Sequence, residues 1–430
     1  MNGWSGRSFE IRLGPPGHGG FCVGRHEGRV VFVRHGLPGE TVLARVTEDQ
    51  GGTFCRADAV EIVHASADRV PRSCPVSGPG GAGCCDYTHA TPAAQRALKA
   101  TVVAELLRRV AGLEREVTVE PVAGWPADAT GGWRTRVRLP VDALGRAGAH
   151  RYRSDEVIAD LRCPQPVEGA LAGIAERRWT PGADLVVALD ADGIRHIVEL
   201  APPEPARGGR DGRRRPAGRR RTAAARRAAA HAPRLEQVRA GSGRAVEYVA
   251  GRRWEISATG FWQAHRLAAQ CYSDLVAEWA EVAAGERAWD LYSGAGVFAA
   301  RLAEQAGPDG AVLAVESARP AVADGRAALR DLPWVDLRAA RVERWAGEHV
   351  RTAPPRVVVL DPPRAGAGKE VVAAVTAAGP ERIVHIGCDP ASFARDIGLY
   401  HHGGYRLAGL RVFDAFPGTH HMECVALLTR

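Results

Sequence analysis

Short apolar stretches follow one another closely near the start of the chain. Between residues 8 and 64 they read FEIRL, GFCVG, RVVFVR, ETVLARV and ADAVEIV, and glycine, proline or aspartate turn signals separate them. Several short strands at this spacing are typical of a small barrel. We therefore predict a β-barrel domain at residues 1–66, with the glycine-rich stretch from Gly14 to Gly20 as a tight turn.

The pattern changes in the middle of the chain. Residues 67–245 open with a Pro/Gly-rich stretch that holds Cys74, Cys84 and Cys85, and a helical pattern follows from Thr91-Pro92. Threonine is a frequent N-cap, and proline is favoured in the first turn of a helix. The strand-like run WRTRVRLPV comes next. We predict an α+β central domain with a cysteine cluster.

From residue 246 onward, apolar runs alternate with helical patterns. RAWDLY, AVLAVE, RVVVLD, RIVHIG and MECVALLT are strand-like, whereas VFAARLAEQ and RPAVADGRAALR are helical. This alternation indicates a parallel sheet with helices on both faces. We predict a doubly wound, Rossmann-like α/β domain at residues 246–430, in which ligands bind outside the carboxyl ends of the strands.

Positive charge is concentrated in one segment. The 430-residue chain has a formal net charge of +8, and ten arginines but a single acid lie between Arg207 and Arg227. Such a composition cannot support a core, so we predict a disordered basic insertion at about 203–232. A flexible arm for nucleic acid is the functional interpretation of the same segment.

The chain carries no sign of export or membrane insertion. No window approaches 18 consecutive apolar residues, and the N-terminal stretch MNGWSGRSFEIRLG lacks an apolar signal core. Nine cysteines, an odd number spread unevenly, do not resemble a secreted disulfide framework. We expect a soluble cytoplasmic protein, in which metal binding and catalysis are the cysteine roles to test.

A glycine-containing turn follows the strand RAWDLY. In DLYSGAGVF, Gly294 and Gly296 permit a tight turn and close approach of a ligand to a helix N-terminus. Glu316 ends the next strand, where an acidic residue accepts hydrogen bonds from ribose hydroxyls. The third glycine of a dinucleotide fingerprint is missing, which favours a single-nucleoside cofactor such as S-adenosylmethionine over NAD.

Three more residues with catalytic potential are predicted at the same sheet edge. Two prolines end RVVVLD and leave Asp361 at its tip, on the edge that also holds Asp290. Cys388 follows RIVHIG just before a helix, whose N-terminus is expected to favour thiolate over thiol. Glu423 begins the last strand. A thiolate and a carboxylate base suit methylation of carbon 5 of uracil, which needs both covalent and acid–base catalysis.

These motifs together resemble those of the RNA uracil-5 methyltransferases that use S-adenosylmethionine, in their iron–sulfur-containing branch. The resemblance covers essentially the whole chain. The N-terminal barrel is similar to a TRAM domain, an RNA-binding OB-like module. FWQAH, DLYSGAGVF, DPPRAG, GCDPASFARD and THHMECVALL are similar to five motifs of the family, in the family's order.

The resemblance implies a role for each of these residues. Cys388 would be the nucleophile and Glu423 the base that removes the proton from carbon 5. The residues implied in cofactor binding are Gln263, Tyr292, Gly294, Gly296, Glu316 and Asp361. Arg395 and Asp396 belong to the nucleophile motif, but no catalytic role is predicted for them.

A [4Fe-4S] cluster is also implied, and it would need four thiolates. The predicted metal ligands are Cys74, Cys84, Cys85 and Cys163. The family's C-G-G-C is replaced here by AGCC, so Ala82 stands where one ligand is expected. A zinc site is an alternative, although the C-x-x-C spacing usual for structural zinc is missing.

RNA is the predicted partner, with no membrane and no obligate protein partner. The domain plan resembles that of enzymes acting on 23S rRNA, with a tRNA uridine as the alternative substrate and a non-catalytic RNA-binding protein as the second alternative. An amino-directed methyltransferase would carry an aromatic residue where Arg364 stands, and a radical enzyme would need C-x-x-x-C-x-x-C. Candidate RNA contacts, or simply a solvated strand face, are Arg134, Arg136 and Arg138.

Overall fold

The computed structural model describes residues 3–203, 234–350 and 354–430. The basic insertion predicted at about 203–232 lies outside these ranges, apart from its first residue. Within the described ranges, no helix is both long enough and apolar enough to cross a membrane.

A curled six-stranded sheet forms the N-terminal domain. Its strands are β1 (Ser8–Arg12), β2 (Pro16–Gly17), β3 (Phe21–His26), β4 (Arg29–Arg34), β5 (Thr41–Asp49) and β6 (Phe54–His64). The chain bends after β1, so that β1 pairs with β5 and β2 pairs with β3 at the opposite edge. Gly14 permits this bend, because a Cβ there would lie 2.8 Å from the carbonyl oxygen of Val23. Val31 and Val33 point inward and are fully buried, as the alternation predicts.

Helix α1 (Pro92–Leu106) begins where the sequence predicts it. The hydroxyl oxygen of Thr91 accepts a hydrogen bond from the N–H of Ala94, and this N-cap satisfies one free amide of the first turn. The helix continues as a π-helical turn, Leu107–Ala111, and ends at Gly112. Strand β7 (Val119–Pro121) follows and joins the large sheet of the C-terminal region.

The rest of the middle region consists of small antiparallel sheets. Its strands are β8 (Arg136–Pro140), β9 (Ala149–His150), β10 (Val157–Ile158), β11 (Asp184–Leu189), β12 (Arg195–Leu200), β13 (Glu236–Ala240), β14 (Arg244–Val249) and β15 (Arg252–Ser257). A four-stranded sheet has the order β13-β12-β11-β8, while β9 pairs with β10 and β14 with β15.

An eight-stranded sheet forms the core of the C-terminal region, in the order β18-β17-β16-β19-β20-β22-β21-β7. Its remaining strands are β16 (Arg287–Leu291), β17 (Ala311–Glu316), β18 (Val335–Ala339), β19 (Val357–Leu360), β20 (Arg382–Gly387), β21 (Arg406–Asp414) and β22 (Glu423–Thr429). Among these described strands, only β22 runs antiparallel to its neighbours.

Helices cover both faces of this sheet. They are α2 (Ala268–Ala280), α3 (Val297–Ala306), α4 (Arg319–Ala328), α5 (Val342–His349), α6 (Gly368–Ala378) and α7 (Pro390–His402). Residues of α2, α3 and α4 pack with Val357 and Val359 on one face, and residues of α1, α5, α6 and α7 pack with Val358 and Leu360 on the other. All four residues of β19 are fully buried, as expected for a central parallel strand. This architecture confirms the predicted doubly wound, Rossmann-like fold.

Candidate active site

One edge of the large sheet gathers the residues that the sequence predicts to carry chemistry. The carboxyl ends of four parallel strands and the amino end of β22 meet there. The residues at or just after these ends are Tyr292 (β16), Glu316 (β17), Asp361 (β19), Cys388 (β20) and Glu423 (β22). Because Gly387 pairs with Cys424, the end of β20 and the start of β22 are adjacent.

The turn after β16 has the left-handed backbone that its glycines permit. Gly294 and Gly296 have φ values of 56° and 81°, and Tyr292 between strand and turn has a φ of 62°, which is uncommon for a bulky residue. Glu316 holds this turn: its Oε2 accepts a hydrogen bond from the N–H of Gly294 at 3.2 Å, and its Oε1 accepts one from the N–H of Ala318 at 2.7 Å. Glu316 therefore ties the ends of two neighbouring strands together.

Asp290 is fully buried within β16 and supports the same turn. Its Oδ2 accepts a hydrogen bond from the N–H of Ala299 in α3 at 2.8 Å, and its Oδ1 has no hydrogen-bond partner among the described residues. Burial raises the pKa of Asp290 to about 8, and the negative charges of Asp361 and Glu316 act in the same direction. Asp290 therefore links β16 to α3, inside the sheet and below the residues at its edge.

A cleft opens beside this turn. Its lining residues are Phe261, Trp262, Gln263, Ala269, Tyr292, Ser293, Gly294, Ala295, Val297, Phe298 and Asp361. Nε2 of Gln263 donates to Oδ2 of Asp361 at 3.4 Å. Four of the predicted cofactor residues thus share one cleft, whereas Gly296 and Glu316 shape the turn from outside its lining. Phe261 belongs to the FWQAH motif, but the sequence predicts no role for it; it is 71% exposed and lines this cleft.

Cys388 is partly buried between β20 and α7. Burial raises the pKa of its thiol to about 12, and the negative charges of Glu423 and Asp361 act in the same direction, whereas Arg364 opposes them. Burial and the nearby carboxyl groups thus act against the thiolate that the helix N-terminus is expected to favour.

Asp389 explains part of this outcome, since it caps the helix that follows the thiol. Its Oδ1 accepts hydrogen bonds from the N–H of Ser392 at 2.9 Å and of Ala391 at 3.2 Å. A carboxylate already occupies the positive end of α7, and its own charge also raises the pKa of Cys388.

Glu423 is buried, and its Oε1 has no hydrogen-bond partner within the described part of the chain. Burial raises its pKa well above the ordinary value, the charge of Asp361 adds to the rise, and Arg364 opposes it. Burial also raises the pKa of Asp361 to about 7. A carboxylate that binds a proton this readily is suited to act as a base.

Comparisons with known proteins identify the family. Residues 338–430 match the tRNA (Uracil-5-)-methyltransferase family, and residues 5–60 match the TRAM domain. An uncharacterized RNA methyltransferase of Streptomyces avermitilis is 43% identical over 98% of both chains. The 23S rRNA (uracil(1939)-C(5))-methyltransferase RlmD of Alkalilimnicola ehrlichii is 32% identical over 98% of this chain and 96% of its own. The chain belongs to the RNA uracil-C5 methyltransferase family.

A solved structure shows the same methyltransferase fold. The tRNA (uracil-54, C5)-methyltransferase of Pyrococcus abyssi, crystallised with S-adenosyl-L-homocysteine, matches with a TM-score of 0.67 at 20% identity, over 98% of this chain and 100% of that chain. The family, the TRAM domain and the fold class predicted from the sequence are thus confirmed.

Two residues of the nucleophile motif support the methyltransferase's acidic loop, which we define as residues 361–367. Oδ2 of the fully buried Asp396 accepts a hydrogen bond from the N–H of Ala367 at 2.7 Å. Arg395 donates to Oδ1 of Asp396 at 2.7 Å and to the carbonyl oxygen of Ala365 at 2.8 Å. Sequence reasoning missed this role, because it depends on how α7 packs against the loop after β19.

The four predicted metal ligands of the methyltransferase come together without forming a metal site. The sulfurs of Cys84 and Cys85 are 3.8 Å apart, and Nε2 of Gln165 donates to the sulfur of Cys85 at 3.2 Å. A hydrogen bond with Cys85 lowers the pKa of Cys74 to about 6, whereas burial raises the pKa of Cys163 to about 11. In the described part of the chain, no three His, Cys, Asp or Glu side chains are arranged to hold a metal ion.

One candidate RNA contact of the methyltransferase is wrong. Arg136 is buried, and its guanidinium donates to Oε1 of Glu247 at 3.1 Å and to the carbonyl oxygen of Gly260 at 3.2 Å. A guanidinium held inside the protein by these partners does not face RNA. Arg138 is more exposed and pairs with Asp184 at 2.8 Å.

Proposed function

We propose that this chain transfers a methyl group from S-adenosylmethionine to carbon 5 of a uridine in 23S ribosomal RNA, through a covalent bond between Cys388 and the uracil. One observation carries the proposal. The Cys388 thiol and the buried carboxyl group of Glu423, whose Oε1 has no hydrogen-bond partner among the described residues, stand at adjacent strand ends, beside a cleft lined by Asp361. Methylation of a nitrogen or an oxygen would not need the thiol.

The cleft fits S-adenosylmethionine by the chemistry of its lining. Gln263 and Asp361 offer an amide and a carboxylate, and the rings of Phe261 and Tyr292 offer apolar surface for a base and a methylene chain. Glu316 would accept a hydrogen bond from ribose through its Oε2, which has a second lone pair beside the one used by the N–H of Gly294. Its Oε1 already accepts from the N–H of Ala318 and the hydroxyl of Ser317. When bound, the cofactor supplies an electrophilic methyl group.

Cys388 and Glu423 divide the remaining work. The sulfur of Cys388 gives up its proton to solvent and forms a bond to carbon 6 of the ring, which moves the electron pair of the C5–C6 double bond toward carbon 5 and makes that carbon nucleophilic. Once carbon 5 carries the methyl group, Glu423 removes the proton from that carbon. The electron pair then restores the double bond, and the carbon–sulfur bond breaks to release the Cys388 thiolate.

Arg364 belongs to this scheme as the cation that favours the thiolate. It lies on the acidic loop, it is exposed, and it opposes the rise in pKa of both Cys388 and Glu423. We infer that the resting enzyme carries a neutral thiol and that Arg364 stabilises the charge that appears when the thiol reacts.

A covalent-trapping assay tests the proposal. The protein is incubated with S-adenosylmethionine and either 23S rRNA or tRNA that carries 5-fluorouridine, beside Cys388→Ala. Fluorine at carbon 5 cannot leave as a proton, so the reaction stops at the protein–RNA adduct. We expect an adduct with 23S rRNA and the wild-type protein alone. An adduct with tRNA alone would mean that the substrate is tRNA and not 23S rRNA, as the name of the Pyrococcus abyssi enzyme indicates for that protein. RNA binding without any adduct would refute the mechanism.

The predicted iron–sulfur cluster has no part in these steps. Four thiols come together, but Ala82 fills the place of one expected ligand and is itself buried. The residues as arranged do not fit a four-thiolate cluster. Iron and acid-labile sulfide contents of anaerobically purified protein decide whether a cluster is nonetheless present.

We further propose that the enzyme acts in the cytoplasm, where its RNA substrate is found.

A further inference from the structure

The glycine-rich turn of the barrel reaches the loop that carries the nucleophile. Nε2 of His18, in this turn, lies 3.2 Å from Oδ2 of Asp389, the residue directly after Cys388. The His18 ring also meets the ring of His420 edge to face, with centroids 6.4 Å apart. A residue of the N-terminal domain therefore contacts residues on both strand connections that hold the proposed catalytic groups.

The barrel is anchored at this place by other residues. The guanidinium of Arg34 donates to Oδ1 of Asp86 at 2.8 Å, and Nδ1 of His420 lies 2.5 Å from Oδ2 of the same carboxylate. Arg34 and Asp86 are both 3% exposed. Gly20 lets the turn approach, since a Cβ there would lie 2.8 Å from the Cβ of Asp86. This buried network docks the barrel, so His18 is not required for docking.

His18 and the helix share the carboxylate of Asp389. Oδ1 accepts the two amide hydrogen bonds of the N-cap, and Oδ2 faces His18. Burial alone would raise the pKa of Asp389, but the hydrogen bond from His18 and the backbone bond from Ser392 lower it to about 2. With both oxygens engaged, the plane of the carboxylate is defined from two sides, and so is the backbone that joins it to Cys388.

We propose that His18 is a positioning residue of the methyltransferase, which reaches from the barrel to Asp389 and holds the Cys388 thiol in the orientation needed to attack uracil. The inference rests on the proposed function. It makes the glycine-rich turn of the TRAM domain a part of the active site as well as a part of an RNA-binding module. The His18 side chain is 38% exposed, so a substitution there removes the contact with Asp389 without opening a buried cavity.

The test compares His18→Ala, His18→Gln and the control His64→Ala, which changes an exposed histidine at the end of the same barrel. The single-turnover rate of adduct formation with 5-fluorouridine RNA is measured beside the Kd for the same RNA. We expect His18→Ala to slow adduct formation about tenfold while the RNA Kd stays within about twofold of wild type. His18→Gln should restore most of the rate, because its amide N–H can donate to Asp389.

A second readout does not depend on activity. Hydrogen–deuterium exchange of the peptide spanning residues 388–393 reports the two amides that Asp389 caps. We expect about fivefold faster exchange there in His18→Ala and wild-type exchange in His64→Ala and His18→Gln. If the wild-type protein forms no adduct, the proposed function is refuted. The exchange result still shows whether His18 stabilises the N-cap that Asp389 forms.

Two outcomes would overturn the inference. One is a wild-type adduct rate and wild-type exchange in His18→Ala, because the contact then holds nothing in place. The other is a loss that resides in the RNA Kd, because His18 would then be an RNA contact and not a positioning residue.

Discussion

Two thiol-bearing regions of this methyltransferase contrast in how the backbone holds them. Cys388 follows a strand whose Val384 and Ile386 are fully buried, and its position is set by the pairing of β20 with β22. Cys84 and Cys85 lie on backbone that belongs to neither helix nor strand. There the chain is held by individual contacts; a Cβ at Gly83, for example, would lie 2.5 Å from the ring of Tyr152.

The two sites differ in what sets the positions of their residues. In a parallel sheet, residues at the strand ends meet because the whole sheet forms, so a change in one loop leaves the others in place. In an irregular segment, each position depends on its own few bonds. The strand-end motifs match the family's pattern in this chain, whereas the cysteine region has Ala82 where that pattern has a cysteine.

The largest expected effect separates the two regions directly. Cys388→Ala should reduce methylation by about 10⁴-fold or more, because no other group can form the bond to carbon 6. Cys85→Ser should act on stability instead, since the buried Cys85 sulfur accepts a hydrogen bond from Gln165. We expect the free energy of unfolding to fall by about 1–3 kcal/mol. Methylation rates at 25 °C and urea unfolding measure the two effects.

The contrast between the two regions would be refuted if Cys85→Ser remains folded and loses as much methylation as Cys388→Ala. The cysteine region would then take part in the reaction.

Glu423→Gln should come next in size. The amide keeps the volume of the buried side chain but cannot accept the proton from carbon 5, so turnover should fall about 10³-fold. Bond formation by Cys388 does not need this base, and an adduct with ordinary uridine should therefore accumulate. Gel analysis of the protein–RNA species detects it. Wild-type turnover in this variant would mean that a different group removes the proton.

Arg364→Gln should slow adduct formation by about thirtyfold, because the cation that opposes the rise in the Cys388 pKa is lost. Arg341→Gln, at an exposed arginine on the same C-terminal region, is the matched control. Single-turnover rates with 5-fluorouridine RNA measure both. An equal loss in the two variants would assign the effect to general attraction of RNA.

Much of this picture follows from the sequence, and what does not has a physical reason. Buried parallel strands such as β19 are continuous apolar runs, so the sheet and the residues at its edge are predictable. The raised pKa of Cys388 does not follow from the sequence, because the helix N-terminus is visible there but the burial of the thiol, which is the largest cause of the rise, is not. The contact of His18 with Asp389 joins distant parts of the chain, and no local pattern signals it.

The smallest expected effect is measured without any substitution. It shows whether the helix N-terminus or the neighbouring carboxylates dominate the pKa of the Cys388 thiol. Alkylation by iodoacetamide, resolved by peptide mass spectrometry, follows the thiolate fraction. With a pKa of about 12, Cys388 should react about tenfold faster for each unit of pH between about pH 7 and 9. The exposed Cys84, whose pKa a hydrogen bond with Cys85 lowers, should show a weaker dependence. A Cys388 rate that is constant over this range would mean that the thiolate already exists at neutral pH and that the helix N-terminus outweighs its carboxylate surroundings.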